Sequence, residues 1–364
     1  MPPTVVRSYS KINLGLRIGP PRADGFHHLT TLYQTVDLYD LVTVEAAEAA
    51  ATEITMSASD VRVPCDARNT AHRMVSAALQ QLGLAARVHI HLEKRLPPQG
   101  GMGAGSANAA AALIGLERQL GVALPGPARL RIAESVGSDV PLFLLGGTVY
   151  GHNRGERVVP YPDLPETPCL VVAPRQGSST PLAFRVWDEQ VTRLTPEAAH
   201  DRLDELSRVY ASVFAPAGQG GPGSLPGDLP SQDTTGALGV SGARSGADAA
   251  LGQAGDLAGN PLLELVRTGI ENDFEEVVFQ QHPSLREIKQ ALVEPTRGET
   301  GEPEISGALC AMLSGSGSSI FGLFRTDEQA RAAEQRVLAL GSGARTFVTR
   351  TLGRERYWRE MFAG

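Results

Sequence analysis

The sequence predicts an α+β fold in two lobes, and three observations carry that prediction. The chain has 364 residues, whereas single hydrophobic cores stop growing near ~250–300 residues. Strand and helix periods alternate along it, the pattern of mixed sheet-and-helix layers. Residues 215–260 hold 12 of the 40 glycines, four prolines, no aromatic residue and one basic side chain, Arg244. That composition cannot bury enough apolar surface to offset its ordering entropy. The stretch reads as a loosely ordered insertion or a lid.

Taken in order, strands are expected at 4–7, 14–18 and, broken, 32–44. In residues 69–82 the apolar positions Ala71, Met74, Val75, Ala78, Leu79 and Leu82 follow a helical period, with Asn69 as N-cap and Gly83 as the stop. Residues 88–92 alternate as a strand, placing His89 and His91 on one face, to be read as a solvated face or as two metal ligands. An alanine-rich helix over 106–120 ends at Gly121, and a shorter one covers 130–136. Strands follow at 148–152, 157–160 and 169–173, then helices at 181–189 and 196–214. Past the insertion come helices at 261–268, 273–281 and 284–293, strands at 308–313 and 319–324, a helix at 327–340 and a strand at 345–350.

Composition excludes some functions. A net charge of −7 disfavours a nucleic-acid reader. No apolar run is long enough for a membrane span, and the N-terminus does not read as a signal peptide. Three separated cysteines, Cys65, Cys169 and Cys310, fit neither a disulfide framework nor a zinc site. They read as reduced thiols of a cytoplasmic protein.

The chemistry concentrates in Gln99-Gly100-Gly101-Met102-Gly103-Ala104-Gly105-Ser106-Ala107-Asn108, between a strand and a helix. Glycines let successive backbone N–H groups converge on an anion, and the helix adds its unsatisfied N–H groups and dipole. The stretch is either a phosphate site or a glycine-rich turn without a ligand. It is not a P-loop, since no lysine follows the glycines. It is not a dinucleotide fingerprint either, since Ser106 or Asn108 falls on the last glycine position. A hydrolase elbow on Ser106 fails too, with Ala104 and Asn108 where glycines belong. A second small-residue stretch, Ser314-Gly315-Ser316-Gly317, lies between apolar strands; alone it reads as a hairpin turn, but with the first it suggests two lobes meeting on one phosphorylated ligand.

Three segments, in order, resemble motifs of the GHMP kinase superfamily: Ser8-Tyr9-Ser10-Lys11-Ile12-Asn13-Leu14, residues 96–110 and residues 313–321. Arg22-Ala23-Asp24-Gly25-Phe26-His27-His28-Leu29 and Val136-Gly137-Ser138-Asp139-Val140-Pro141-Leu142-Phe143 are similar to the branch whose acceptor is 4-diphosphocytidyl-2-C-methyl-D-erythritol. The resemblance covers nearly the whole chain except 215–260. Ala104 and Ala107 depart from a usual glycine and serine, and Phe26 from a commoner tyrosine.

The resemblance implies the two-lobed GHMP kinase fold, with a ribosomal-protein-S5-domain-2-like lobe over 1–165 and a ferredoxin-like lobe over 166–364. It implies transfer of the γ-phosphoryl group of ATP, with Mg²⁺, to the 2-hydroxyl of the methylerythritol moiety. By the same resemblance Asp139 is the base and Lys11 stands beside it; the bland alternatives are a turn aspartate and a solvated lysine. Residues Pro97, Pro98 and Gln99 through Asn108 hold the ATP phosphates, with Asn69 and Lys94 on the nucleotide side. Asn13, Thr180, Ser314, Gly315, Ser316 and Gly317 serve the substrate. Phe26 and Phe184 are stacking walls for cytosine, Phe184 being equally readable as a core residue, and His27 reads the base edge. No protein metal ligand is assigned, and the expected state is a monomer or homodimer without nucleic-acid or membrane partners. Two other readings stand beside this one: a GHMP kinase for homoserine or a mevalonate derivative, and a non-catalytic sensor on the same scaffold.

Overall fold

Two long antiparallel strands, β1 (Thr4–Pro21) and β2 (His27–Glu48), form the spine of the protein. The structure, a computed structural model, describes residues 2–98, 100–191, 203, 270–297 and 303–363. The insertion at 215–260, the helix expected at 261–268 and, apart from Leu203, the one at 196–214 lie outside the described residues, as does Gln99. The two strands expected at 4–7 and 14–18 are one strand, with register shifts at Tyr9/Ser10 and Asn13/Gly15. The expected break reflects Ser8, Ser10, Lys11 and Asn13, polar residues that the fold buries.

β2 is the centre of the first sheet. One edge pairs with β1; the other pairs first with β5 (Thr148–His152) and further on with β4 (Ala86–Glu93). The outer strands are β3 (Glu53–Ala58), parallel to β4, and β6 (Arg157–Pro160), antiparallel to β5. β3 is a half-exposed edge whose short alternation, Ile54, Met56 and Ala58 toward the core and Glu53, Thr55 and Ser57 between them, was not among the expected strands. Helices α1 (Thr70–Leu82), α2 (Ala104–Leu120) and α3 (Gly126–Val136) share one core with this sheet. The expected caps of α1 are present: Asn69 Oδ1 accepts from Ala71 N at 2.9 Å, and Gly83 takes φ 66°. α2 begins at Ala104, two residues earlier than expected, because Gly103 takes φ 68° and turns the loop directly into the helix.

The second sheet runs β10 (Cys310–Leu313), β11 (Ile320–Leu323), β7 (Pro168–Ala173), β12 (Arg345–Arg350), all antiparallel. The period of two along a strand divides its side chains. In β7, Leu170 and Val172 join the core with α4 (Thr180–Val191), α5 (Phe274–Gln281), α6 (Pro283–Val293) and α7 (Asp327–Ala339). Cys169 and Val171 point the other way, into a third core with Ile12, Leu14, Leu32 and Val36 of the long strands. A small pair, β8 (Thr296–Arg297) and β9 (Pro303–Ile305), stands apart. The last helix, α8 (Arg354–Arg359), returns to the first core through Tyr357, and Arg7 N bonds Met361 O at 2.7 Å.

Candidate active site

Ile12 and Leu14 belong to the core between the sheets. Alternation therefore places Lys11 and Asn13 together on the opposite face of β1. Lys11 is only 2% exposed. Its Nζ donates to Asn13 Oδ1 at 2.5 Å and to Gly101 O at 2.9 Å, and stands 3.5 Å from Asp139 Oδ2. Burial pushes the Lys11 pKa down, and Asp139 opposes that shift. Asn13 is itself fixed, donating to Thr31 Oγ1 at 2.8 Å.

Asp139 sits in the turn between α3 and a short 3₁₀ segment, Pro141–Leu144. Its Oδ1 accepts from Tyr33 Oη at 3.0 Å. Burial, reinforced by Asp139, raises the Tyr33 pKa well above the usual phenol value, so the hydroxyl stays a donor. Tyr33 is a site residue that sequence reasoning missed. Its partner lies 106 residues away, and Leu32 and Gln34 on either side of it are buried too, so alternation along β2 does not single it out. We expect Tyr33→Phe to lower kcat by about tenfold, the effect of one charge-assisted hydrogen bond, with KM for ATP unchanged. Steady-state kinetics on the purified variant checks this.

The first glycine loop lies against this pair. Lys11 N donates to Met102 O at 3.1 Å, which seats the loop on β1. Loop residues divide by direction. Met102, Ala104, Ala107 and Asn108 are buried, whereas Gly105 is exposed and Gly101, Gly103 and Ser106 are intermediate. Asn69 caps α1 and Thr326 caps α7 through side chains, but no side chain caps α2. The first N–H groups of α2 thus remain for an anion. Thr70 Oγ1 donates to Gly105 O at 2.7 Å, bringing the start of α1 beside that of α2. Pro97 and Pro98 lead into the loop and are half-buried.

The two glycine loops touch. Ser319 N donates to Gly100 O at 3.1 Å, and Ser314 Oγ to Gly101 O at 3.0 Å. A Cβ on Gly315 would lie 3.3 Å from Asn13 Oδ1 and 3.5 Å from Lys11 Nζ. The second loop therefore reaches the lysine as well. Asn272, which the sequence did not single out, sets its shape: Nδ2 donates to Leu313 O and Gly315 O, both at 2.8 Å. Thr180 meets Ser316 hydroxyl to hydroxyl at 2.6 Å. Ser319 Oγ is buried without a partner, beside the position a Cβ on Gly100 would take.

Other expected contacts are engaged elsewhere. The Lys94 ammonium, 4% exposed, pairs with the fully buried Asp40 carboxylate, which also accepts from Arg95 N at 2.8 Å and Leu96 N at 2.9 Å. The Asn108 amide satisfies its surroundings with its nitrogen toward Ala104 O and Asp40 Oδ2 and its oxygen 3.2 Å from Lys94 Nζ. Lys94 and Asn108 thus form a buried brace that turns the chain from β4 into the loop. The Asn69 amide is occupied at both ends, by Ala71 N and Pro64 O. Lys94→Ala should cost about 3–5 kcal/mol of stability, the usual result of orphaning a buried charge. Urea denaturation reads this; a raised KM for ATP at unchanged stability would instead make Lys94 a nucleotide contact.

At the far end, the ring stacked on Phe184 is that of His27, 4.8 Å away at 12°, with Phe274 edge-on at 4.9 Å. Phe26 is 52% exposed and lies under the Arg154 guanidinium. Phe26 and Phe184 were expected as two walls of one slot; His27 occupies one face of Phe184 instead. His27 Nε2 is 2.7 Å from Asp188 Oδ1.

Comparison with known proteins gives this arrangement a class. Residues 69–147 match the model of the GHMP kinases N terminal domain, and residues 257–343 that of the GHMP kinases C terminal. A homoserine kinase from Cytophaga hutchinsonii has the same fold, with a TM-score of 0.66 at 18% identity over 98% of this chain and 96% of that one. A solved 4-(cytidine 5'-diphospho)-2C-methyl-D-erythritol kinase is 25% identical, with a TM-score of 0.60 over 96% of this chain and 99% of that one. The 4-diphosphocytidyl-2-C-methyl-D-erythritol kinase of Solibacter usitatus is 34% identical over 98% of this chain and 92% of its own length. The chain belongs to the 4-diphosphocytidyl-2-C-methyl-D-erythritol kinase family, within the GHMP kinases.

Proposed function

We propose that this kinase transfers the γ-phosphoryl group of ATP to the 2-hydroxyl of 4-diphosphocytidyl-2-C-methyl-D-erythritol, giving the 2-phosphate and ADP. The step belongs to the non-mevalonate, methylerythritol phosphate route to isoprenoid precursors. The observation that carries the reading is the buried Lys11 ammonium paired with the partly exposed Asp139 carboxylate, beside two glycine loops that touch each other. The acceptor oxygen attacks the γ-phosphorus while the bond to the β,γ-bridging oxygen breaks, and Asp139 takes the hydroxyl proton. Tyr33 orients that carboxylate. Lys11 balances charge on the attacking and transferred oxygens. The uncapped start of α2 and the first loop cradle the ATP phosphates.

Mg²⁺ fits as an ion that arrives with the nucleotide. An ion held mainly by phosphate and water asks no more of the protein than the uncapped start of α2 and its half-buried Ser106 offer. Ser106 would supply a hydroxyl to phosphate or to the ion, and the bound ion supplies neutralisation of phosphate charge. Asn13 would steer the methylerythritol hydroxyls, and Phe26 with the His27–Phe184 stack would receive the cytosine. Buried, free Cys169 and Cys310 and exposed Cys65 suit a reducing cytoplasm.

Labelled phosphoryl transfer from ATP to a panel of acceptors tests the function. The cytidylyl acceptor should be phosphorylated in clear preference to homoserine and mevalonate. Comparable or better use of either alternative would contradict the reading.

A further inference from the structure

We propose that Arg154 is a positioning residue for the cytosine end of the acceptor, its guanidinium fixing Phe26 as a stacking platform. The inference rests on the function proposed above. Phe26 is half in water, so apolar burial alone does not set its ring. The Arg154 guanidinium carbon stands 4.9 Å from the ring centroid, within cation–π range.

Arg154 is anchored in turn. Its backbone N donates to Glu156 Oε2 at 2.8 Å, and its Nε stands 3.5 Å from Glu156 Oε1. Glu156 is 4% exposed and accepts from the Asn153 amide. Asn153 adopts φ 69°, a left-handed conformation that asparagine tolerates. Its carbonyl accepts from Leu29 N at 2.7 Å, and its side-chain oxygen from Arg22.

Arg22 closes the circuit. It pairs with Asp24 at 2.9 Å, and its N–H donates to Phe26 O at 2.6 Å. Asp24 Oδ1 accepts from Phe26 N at 3.2 Å. The turn at 22–26 thus fixes the Phe26 backbone, and the β5–β6 hairpin fixes its ring through Arg154. A base stacking on the other face of the ring meets a surface already oriented, so less ordering opposes its binding.

Inhibition by cytidine 5'-diphosphate tests this. Arg154→Ala should raise its Ki about two- to fivefold, the effect of an exposed cation–π contact. The kcat at saturating acceptor and the KM for ATP should stay within about twofold of wild type. In a Phe26→Ala background, Arg154→Ala should add nothing, because the two act through one ring. Arg154→Gln, which keeps a planar polar group but no charge, should behave like Arg154→Ala. An unchanged Ki in both variants, the same loss without Phe26, or an equal loss in kcat and ATP affinity would each overturn the proposal. Failure of the proposed function shows separately, as a wild-type enzyme that leaves the cytidylyl acceptor unphosphorylated.

Discussion

Lys11→Met lowers turnover by about 10³-fold or more, and Asp139→Asn does the same. Methionine keeps the apolar stem of Lys11, which packs beside Gly103, and removes only the ammonium. That ammonium is held by Asn13, Gly101 and Asp139 at once, so no neighbour can move in to replace it. Asparagine keeps the shape of Asp139 and its contact with Tyr33 but cannot take a proton. Stopped-time assays on folded variants decide the matter, and near-normal kcat in either removes that residue from the chemistry. A pH dependence accompanies this. Because burial lowers the Lys11 pKa, the rate should fall on the alkaline side below about pH 10.4, where a solvated lysine titrates. Asp139 raises the Lys11 pKa, so the residual activity of Asp139→Asn should fall at still lower pH.

Gly101→Ala should cost about 3 kcal/mol of stability and about 100-fold in kcat. Gly101 takes φ 76°, and an added Cβ would overlap the Ser314 carbonyl oxygen and lie 2.9 Å from that of Gly317. Both obstacles are backbone, so neither can swing aside. The loops must separate, and the Gly101 carbonyl that holds Lys11 moves with them. Thermal melting and kinetics together read the result. Gly121→Ala serves as the control: its φ is also positive, at 65°, but a Cβ there meets nothing within 4 Å. It should lose about 1 kcal/mol of stability and no activity.

Local signals in the sequence were sufficient where neighbours in the chain decide the structure. Asn69 and Gly83 bound α1 because caps act within a few residues. The glycine loop was legible as a turn into a helix, and so as a candidate anion site, because backbone freedom and a helix start are both local. Residues serving the site from a distance were not legible. Asp40 looks like any acid within a strand until Lys94, Arg95 and Leu96 arrive from 54–56 residues away. Asn272 reads as a turn residue until the second loop folds over it. The continuity of β1 was hidden because its polar residues face the site rather than water. The resemblance in its motifs, not periodicity, supplied Lys11 and Asp139; the fold then brings them within 3.5 Å.

The most direct test of the account is the position of the phosphate in the product. Wild-type enzyme, ATP and 4-diphosphocytidyl-2-C-methyl-D-erythritol labelled with ¹³C at carbon 2 should give a product whose labelled carbon couples to phosphorus, with ADP formed in equal amount. Lys11→Met and Asp139→Asn should give no such signal on the same timescale. ATP consumption without that coupling, or an unchanged signal in both variants, would contradict it.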